Sequence, residues 1–297
     1  MSLGERIRRY FLEQPKPSAV FQIAPSYFAA LKTGPEDQLT ADDYVYHPIS
    51  SGLVEAQLLQ KNIVQPGLLQ ELIRKTWRKF KPRGHSVTVI LPEMSARAFI
   101  FQLESASLTP AEQVRFVEWK LEHHLSHPLD RVRYSYQTFN SGKERKVLVV
   151  CIGEEVAAEY EAIFSENKMH PGKLTIPSLS VLNLVVRAGA EARDFLLVDA
   201  DLDYLSLVAV LDGAPYLYRQ KQLWPDNETN RTAILKEAEN TVNFLEDKIR
   251  RKPSLVYVRS NLGNPVWLTT EMEKLLGLRV EEVMTEQQFL APLFGGQ

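Results

Sequence analysis

A single cysteine, Cys151, excludes a disulfide framework. It sits in the apolar run KVLVVCIG, with no local His or Asn to activate a thiol, and reads as a small buried hydrophobe. No stretch approaches the roughly 20 apolar residues that a bilayer span requires. The N-terminal MSLGERIRRYFLEQPKP also lacks the apolar core of a secretory signal, so the expectation is an intracellular chain. Neither sign of charge dominates: 35 Lys and Arg stand against 37 Asp and Glu, for a formal net charge of -2. That balance provides no global field to gather nucleic acid, and any basic surface must be local. No fixed-period repeat and no low-complexity tract is present.

What is present is 297 residues, enough for two ordinary domains or one large α/β unit with an insertion. In residues 1–17, Ile7, Tyr10, Phe11 and Leu12 alternate with Arg6, Arg8 and Arg9. They read either as a short basic amphipathic turn against anionic lipid or as a solvated tail before Pro15 and Pro17. SAVFQIAPSYFAALK, Ser18 to Lys32, then reads as strand, tight turn and strand, and contains neither Asp nor Gly. From Pro66 to Phe80 apolar residues recur at steps of three and four, predicting an amphipathic helix that ends in the basic run WRKFKPRGH.

HSVTVILP and ARAFIFQLE both alternate and are expected to form a strand pair. In SLTPAEQ, Thr109 is a natural N-cap, Pro110 takes the first helical position and Glu112 favours the positive helix end. Two strands and a helix from about Glu154 to Asn167 complete an α+β unit. FLLVDADLDYLSLVAVLDGAPYLYRQKQL gives three further strands, with Asp212-Gly213 a hairpin signal. A long helix from about Thr229 to Lys252, then LVYVRS, LTTEMEKLLG and LRVEEV as strand, helix and strand, complete a layered α/β arrangement.

Taken in order, these stretches resemble the PilM-like proteins of type IV pilus assembly, relatives of FtsA within the actin-like ATPases. The most specific is LTPAEQVRFVEWKLEHHLSHPLDRVRYSYQTF, a helix followed by Pro, an acidic residue and a YxY-like strand. The resemblance covers roughly residues 18 to 285. It implies an actin-like (ribonuclease H-like) α/β fold of two lobes. The expected division is a tail at 1–17, a first lobe at 18–82 with part of 175–192, an inserted α+β subdomain at 83–174 and a second lobe at 193–297.

The departures concern nucleotide chemistry. The family's first phosphate loop reads like LDIGSSSVK; here Gln22 replaces its Asp, Ala24 its Gly, Pro25 the next Ser and Ala29 its Lys. A neutral Gln cannot replace a carboxylate near a divalent cation, and Pro25 has no N–H to offer an oxyanion. The second loop, VDIG-like in the family, reads VDAD. It keeps Asp199 but puts Asp201 where a phosphate would approach, and the two would repel. In RSNLGN only Ser260 and Gly263 survive of the adenosine-side phrase. Only WPDNET separates Leu223 from the long helix, where relatives carry a subdomain walling the cleft, so that subdomain is expected to be missing.

The resemblance therefore implies no catalysis and no cofactor. It implies a cytoplasmic scaffold peripheral to the inner membrane, docking the N-terminal segment of a bitopic PilN-like partner. That segment would lie in a groove between the first lobe and the insertion, near Phe99, Phe101, Tyr134 and Tyr136, although these aromatics equally suit a core. The cytoplasmic domains of GspL-type secretion proteins follow the same logic, and an ATP-binding ATPase of the same assembly is the alternative. A homo-oligomer and contact with anionic lipid are compatible with the sequence. His123 and His127 of HHLSH have zinc-ligand spacing, but no HExxH phrase accompanies them and the last helical turn suits them beside free carbonyls. The six basic residues between Arg74 and Arg83 suit an anionic surface better than nucleic acid.

Overall fold

The computed structural model describes residues 16–34, 40, 42–49, 52–103, 108–141, 144–224, 227–262, 265–283 and 287–297. The basic stretch of the tail before Lys16, and Gly263, lie outside the described residues.

Two five-stranded sheets share one strand order. In the first, β1 (Ala19–Ile23), β2 (Tyr27–Lys32) and β3 (Tyr44–Pro48) form an antiparallel meander, and β4 (Ser86–Ile90) and β8 (His170–Thr175) add in parallel beside β1. In the second, β9 (Phe195–Ala200), β10 (Tyr204–Leu211) and β11 (Ala214–Gln222) form the meander, and β12 (Leu255–Ser260) and β13 (Arg279–Glu282) add in parallel beside β9. Asp212 and Gly213 both take positive φ, 56° and 76°, as the two-residue hairpin between β10 and β11 demands. Between the halves lies a three-stranded sheet in the order β5 (Ala96–Leu103), β7 (Glu144–Gly153), β6 (Val132–Ser141).

Helices cover both large sheets. The α1 helix (Pro66–Phe80) and α3 (Glu154–Ser165) pack through Leu69, Ile73, Tyr160 and Phe164 onto Phe21, Phe28 and Val89 of the first sheet. The α5 helix (Asn227–Phe244, extended by a π-helical turn Leu245–Ile249) and α6 (Pro265–Leu276) cover the outer face of the second. The inner faces are closed crosswise. The α4 helix (Pro177–Arg187) places Val181, Leu182 and Val185 on the second sheet, whereas α7 (Leu290–Gly295), from the far end of the chain, places Leu290 and Leu293 on the first. These two helices touch so closely that a Cβ on Gly295 would strike the Ser180 carbonyl.

HSVTVILP and ARAFIFQLE do not pair. β4 is buried along almost its whole length, as a central parallel strand must be, and runs beside β1 with Ala19 opposite Val87. β5 is only partly buried and pairs with β7 in the small sheet. The span 83–174 therefore includes β4, α3 and β8, which build the first lobe; the inserted unit is β5, α2 (Pro110–His124), β6 and β7. Likewise α4, expected with the first lobe, lies on the second sheet. The capping box at the start of α2 is complete: Glu112 N donates to Thr109 Oγ1, and Thr109 N donates to Glu112 Oε2 at 2.7 Å. Residues 223–226 alone connect β11 to α5, so no subdomain stands there. No helix among the described residues is long and apolar enough to cross a membrane.

Candidate functional site

The two meanders point their first turns at each other. Residues 24–26 form the tip of β1–β2 and residues 201–203 the tip of β9–β10. Beneath these tips lies a buried polar network built from both sheets. Gln22 Nε2 donates to the Tyr27 hydroxyl at 2.7 Å, and that hydroxyl donates to Asp201 Oδ2 at 2.8 Å. Arg259 Nη1 donates to the same Asp201 oxygen at 2.7 Å and to Asp199 Oδ1 at 3.2 Å, and Tyr204 closes the group by donating to Asp199 Oδ2 at 2.9 Å. Gln22, Asp199, Asp201 and Arg259 are all fully buried.

Strand register dictates this meeting. β12 runs parallel to β9 with Arg259 opposite Asp199, so the strand pairing itself sets the guanidinium beside the carboxylates. A buried guanidinium survives only if matched. Here burial works against the charge, and Asp201, Tyr204 and Asp199 outweigh it, holding Arg259 protonated. Arg259 Nε donates to the Gln288 carbonyl at 2.9 Å, and Asn261 and the Leu202 amide both donate to Asp201 Oδ1. Burial pushes the Asp199 carboxyl upward against the pull of Arg259 and raises the Tyr27 and Tyr204 phenols well above the usual range.

The loop residues singled out from sequence thus divide. Gln22, Asp199 and Asp201 join one network. Ala24 and Ala29 are core residues packed with Leu290 and Leu293, and Pro25 lines a cavity above the network. The polar residues that complete the group, Tyr27, Tyr204 and Arg259, were not singled out from sequence. The available signal was an arginine inside the apolar strand LVYVRS, which requires a buried carboxylate somewhere.

A second buried acid sits below. Glu93, between β4 and β5, accepts from the Ser178 amide at 3.0 Å, from the hydroxyls of Ser178 and Ser206 at 2.6 and 2.7 Å, and from Tyr218. Burial raises its pKa despite these donors. It pins the start of α4 and two strands of the second sheet to the segment that leaves β4 of the first.

Phe99, Phe101, Tyr134 and Tyr136 lie together on the face of the small sheet that α2 covers. Phe99 and Phe101 stack at 5.6 Å, and the Tyr134 hydroxyl donates to Glu118 of α2 at 2.9 Å. They are core residues with partial exposure, except Phe101, which is buried. The same cluster takes in Leu58 and Leu59 from the segment 55–62, which crosses the seam between the first lobe and the small sheet. Gly153 N holds this segment by donating to Leu58 O at 2.9 Å. In the α2 terminus, His123 and His124 each place Nδ1 on the carbonyl four residues back, at 2.7 and 2.8 Å, while His127 lies beyond the helix. No group of three or more potential metal ligands exists among the described residues. Cys151 is buried in the small sheet, and burial pushes its thiol up to about 11.

No protein-family model and no curated protein matches the chain. Solved structures do. The chain is similar to a structure described as the PilM-PilN type IV pilus biogenesis complex, with a TM-score of 0.75 and 16% identity, covering 95% of this chain and 97% of that one. It is also similar to the cytoplasmic domain of EpsL, an inner-membrane component of the type II secretion system of Vibrio cholerae, at a TM-score of 0.54 and 10% identity over 93% of each chain. A Bacteroides thetaiotaomicron protein of actin-like ATPase fold and unknown function aligns at a TM-score of 0.50 and 11% identity, covering 93% of this chain and 95% of that one. Identities this low speak for the fold, which is actin-like.

Proposed function

We propose that this actin-like chain is a non-catalytic scaffold of a type IV pilus or type II secretion-like assembly, working at the cytoplasmic face of the inner membrane. The observation that carries the reading is the Arg259 network. Where an actin-like ATPase frames phosphate and magnesium between its two hairpins, this chain commits Asp199 and Asp201 to an internal guanidinium and bonds Tyr27 across the gap. Two carboxylates matched by a buried cation are poor candidates to hold a metal-bound water as well.

The partner is the short cytoplasmic segment of a bitopic PilN-like protein, docking at the small sheet. β5 and β6 flank β7 and each has one side free of sheet partners among the described residues, so an extended peptide can add there. Leu58 and Leu59 border the same aromatic cluster and would form one lip of the site. The end of α1 exposes Arg74, Arg78, Lys81 and Arg83 on one flank, which suits an anionic membrane surface.

Isothermal titration with MgATP tests the first half of this reading: no heat at micromolar concentrations is expected, and saturable binding would overturn it. Titration with a synthetic peptide of the PilN-like cytoplasmic segment tests the second. Phe99→Asp and Leu58→Ser should each weaken that binding, with far-ultraviolet circular dichroism checking that each variant keeps the parent's fold. Binding unaffected by either places the partner elsewhere.

A further inference from the structure

Above the Arg259 network the cleft between the hairpin tips remains open. A cavity of about 880 Å³ lies there, with Leu202, Leu223 and Trp224 among its apolar walls and Ser26, Glu55 and Asp203 among its polar ones. That volume is within the range of sites that hold small ligands or peptide side chains. Its electrostatics are the reverse of a phosphate site. Glu55 and Asp203 are among its lining residues, and none of those among the described residues is Lys or Arg.

Two polar atoms in this lining are unfulfilled. Asp203 Oδ1 and Ser26 Oγ are withdrawn from solvent and have no hydrogen-bond partner among the described residues. A buried carboxylate oxygen without a donor is costly. Burial pushes the Asp203 carboxyl up to about 7, and the negative charges of Asp201 and Glu93 push the same way while Arg259 opposes them. Arg259 makes its ion pairs with Asp201 and Asp199 and acts on Asp203 only through its field. The rim is apolar: Trp224 is 67% exposed and Leu202 37% exposed, an indole and a branched chain at the mouth of an acidic hole.

We propose that this cleft binds a basic side chain, arginine or lysine, presented on an extended segment of a partner protein. Asp203 and Glu55 receive the cation, Ser26 is free to accept a further N–H, and Trp224 and Leu202 cover the alkyl stem and its apolar neighbours. An anionic ligand would face uncompensated repulsion from the same two carboxylates. A bare polyamine would satisfy the acid but leave the apolar rim uncovered, which is why a peptide is the better occupant. The site does not overlap the small-sheet cluster, so its fate is separate from that of the docking surface proposed above.

The test uses the full chain and its tryptophan fluorescence, with Trp224→Phe identifying the reporting indole. The probes are acetyl-Leu-Arg-Leu-amide, the same peptide with Glu for Arg, and spermidine. The arginine peptide should give a saturable change at millimolar concentration or below, the glutamate peptide none, and spermidine a response about tenfold weaker or more. Asp203→Asn should weaken the arginine peptide about tenfold. If that variant loses its native far-ultraviolet circular dichroism, Glu55→Gln, on the open side of the cavity, serves instead. A silent arginine peptide, equal binding of the glutamate peptide, or a variant that binds as well as the parent overturns the proposal. Spermidine binding as tightly as the peptide overturns the peptide source.

Discussion

The Tyr27 hydroxyl donates to Asp201 Oδ2 over 2.8 Å, although 174 positions separate the two residues in the chain. The bond joins the first hairpin of one lobe to the first hairpin of the other. Tyr46 stacks on Tyr27 at 5.2 Å and meets Phe289 at a tilt, with ring centres 4.6 Å apart, so the phenol is held from behind as well. Side chains from both lobes thus meet at the hairpin tips.

Removing the cation at the centre should expose how much depends on it. Arg259→Met leaves Asp199 and Asp201 buried with neutral donors but no cation, and urea denaturation should show a loss of about 3 to 5 kcal/mol. Adding Asp199→Asn and Asp201→Asn to the same chain should recover a large part of it. A single variant within about 1 kcal/mol of the parent would mean that the network is incidental to the fold.

Asp203 predicts an unusual pH dependence. Its folded value of about 7 stands above the ordinary 3.8, so between those values the folded state holds more protons than the unfolded chain. Stability from this group is fully present below 3.8 and drains away as pH rises through about 7. Asp201 and Glu93 face it with the same sign and Arg259 with the opposite one, and none of the three removes the trend. Asp203→Asn should be more stable than the parent at pH 8, by about 1 kcal/mol or more, and should lose that advantage by pH 4. Parallel stability curves for the two proteins would refute the assignment.

Glu93 should tolerate Gln and not Ala. The carboxylate satisfies the Ser178 amide and the hydroxyls of Ser178, Ser206 and Tyr218. Glu93→Ala leaves these donors buried and empty, at a cost of about 3 kcal/mol or more, whereas Glu93→Gln retains an acceptor and should lose less than half as much in the same denaturation assay.

Gly295→Ala probes the contact between α4 and α7. Because any side chain there meets the Ser180 carbonyl, the helices must separate, and a loss of about 1 to 3 kcal/mol in thermal or chemical unfolding is expected. An unchanged midpoint would show that the two helices slide apart freely.

Much of the architecture was legible locally. The Thr109 capping box, the Asp212-Gly213 turn and the apolar stripe of α1 announce themselves within a few residues, and each forms where the pattern places it. The pairing of β4 was not legible. It follows β1 by some sixty residues and precedes β5 by six, and proximity in sequence suggested the wrong neighbour. Only its burial on both faces told otherwise, and a five-residue run such as SVTVI does not advertise that. At the candidate site the sequence singled out Gln22, Pro25 and Asp201 as departures from the loops it resembles. It did not show what Asp201 bonds to, because Arg259 lies on a strand far along the chain and becomes its neighbour only through the β9–β12 register.

The crossed placement of α4 and α7 makes the first lobe depend on the second. The inner face of the first sheet, with Val20, Tyr27 and Leu31, is covered by Phe289, Leu290 and Leu293, which follow the second sheet in the chain. The second sheet instead takes its cover from α4, which lies just before β9. A fragment cut ahead of α4 would therefore leave the first sheet with a bare apolar face, while the remainder keeps both helices, so the two halves are unequal as folding units.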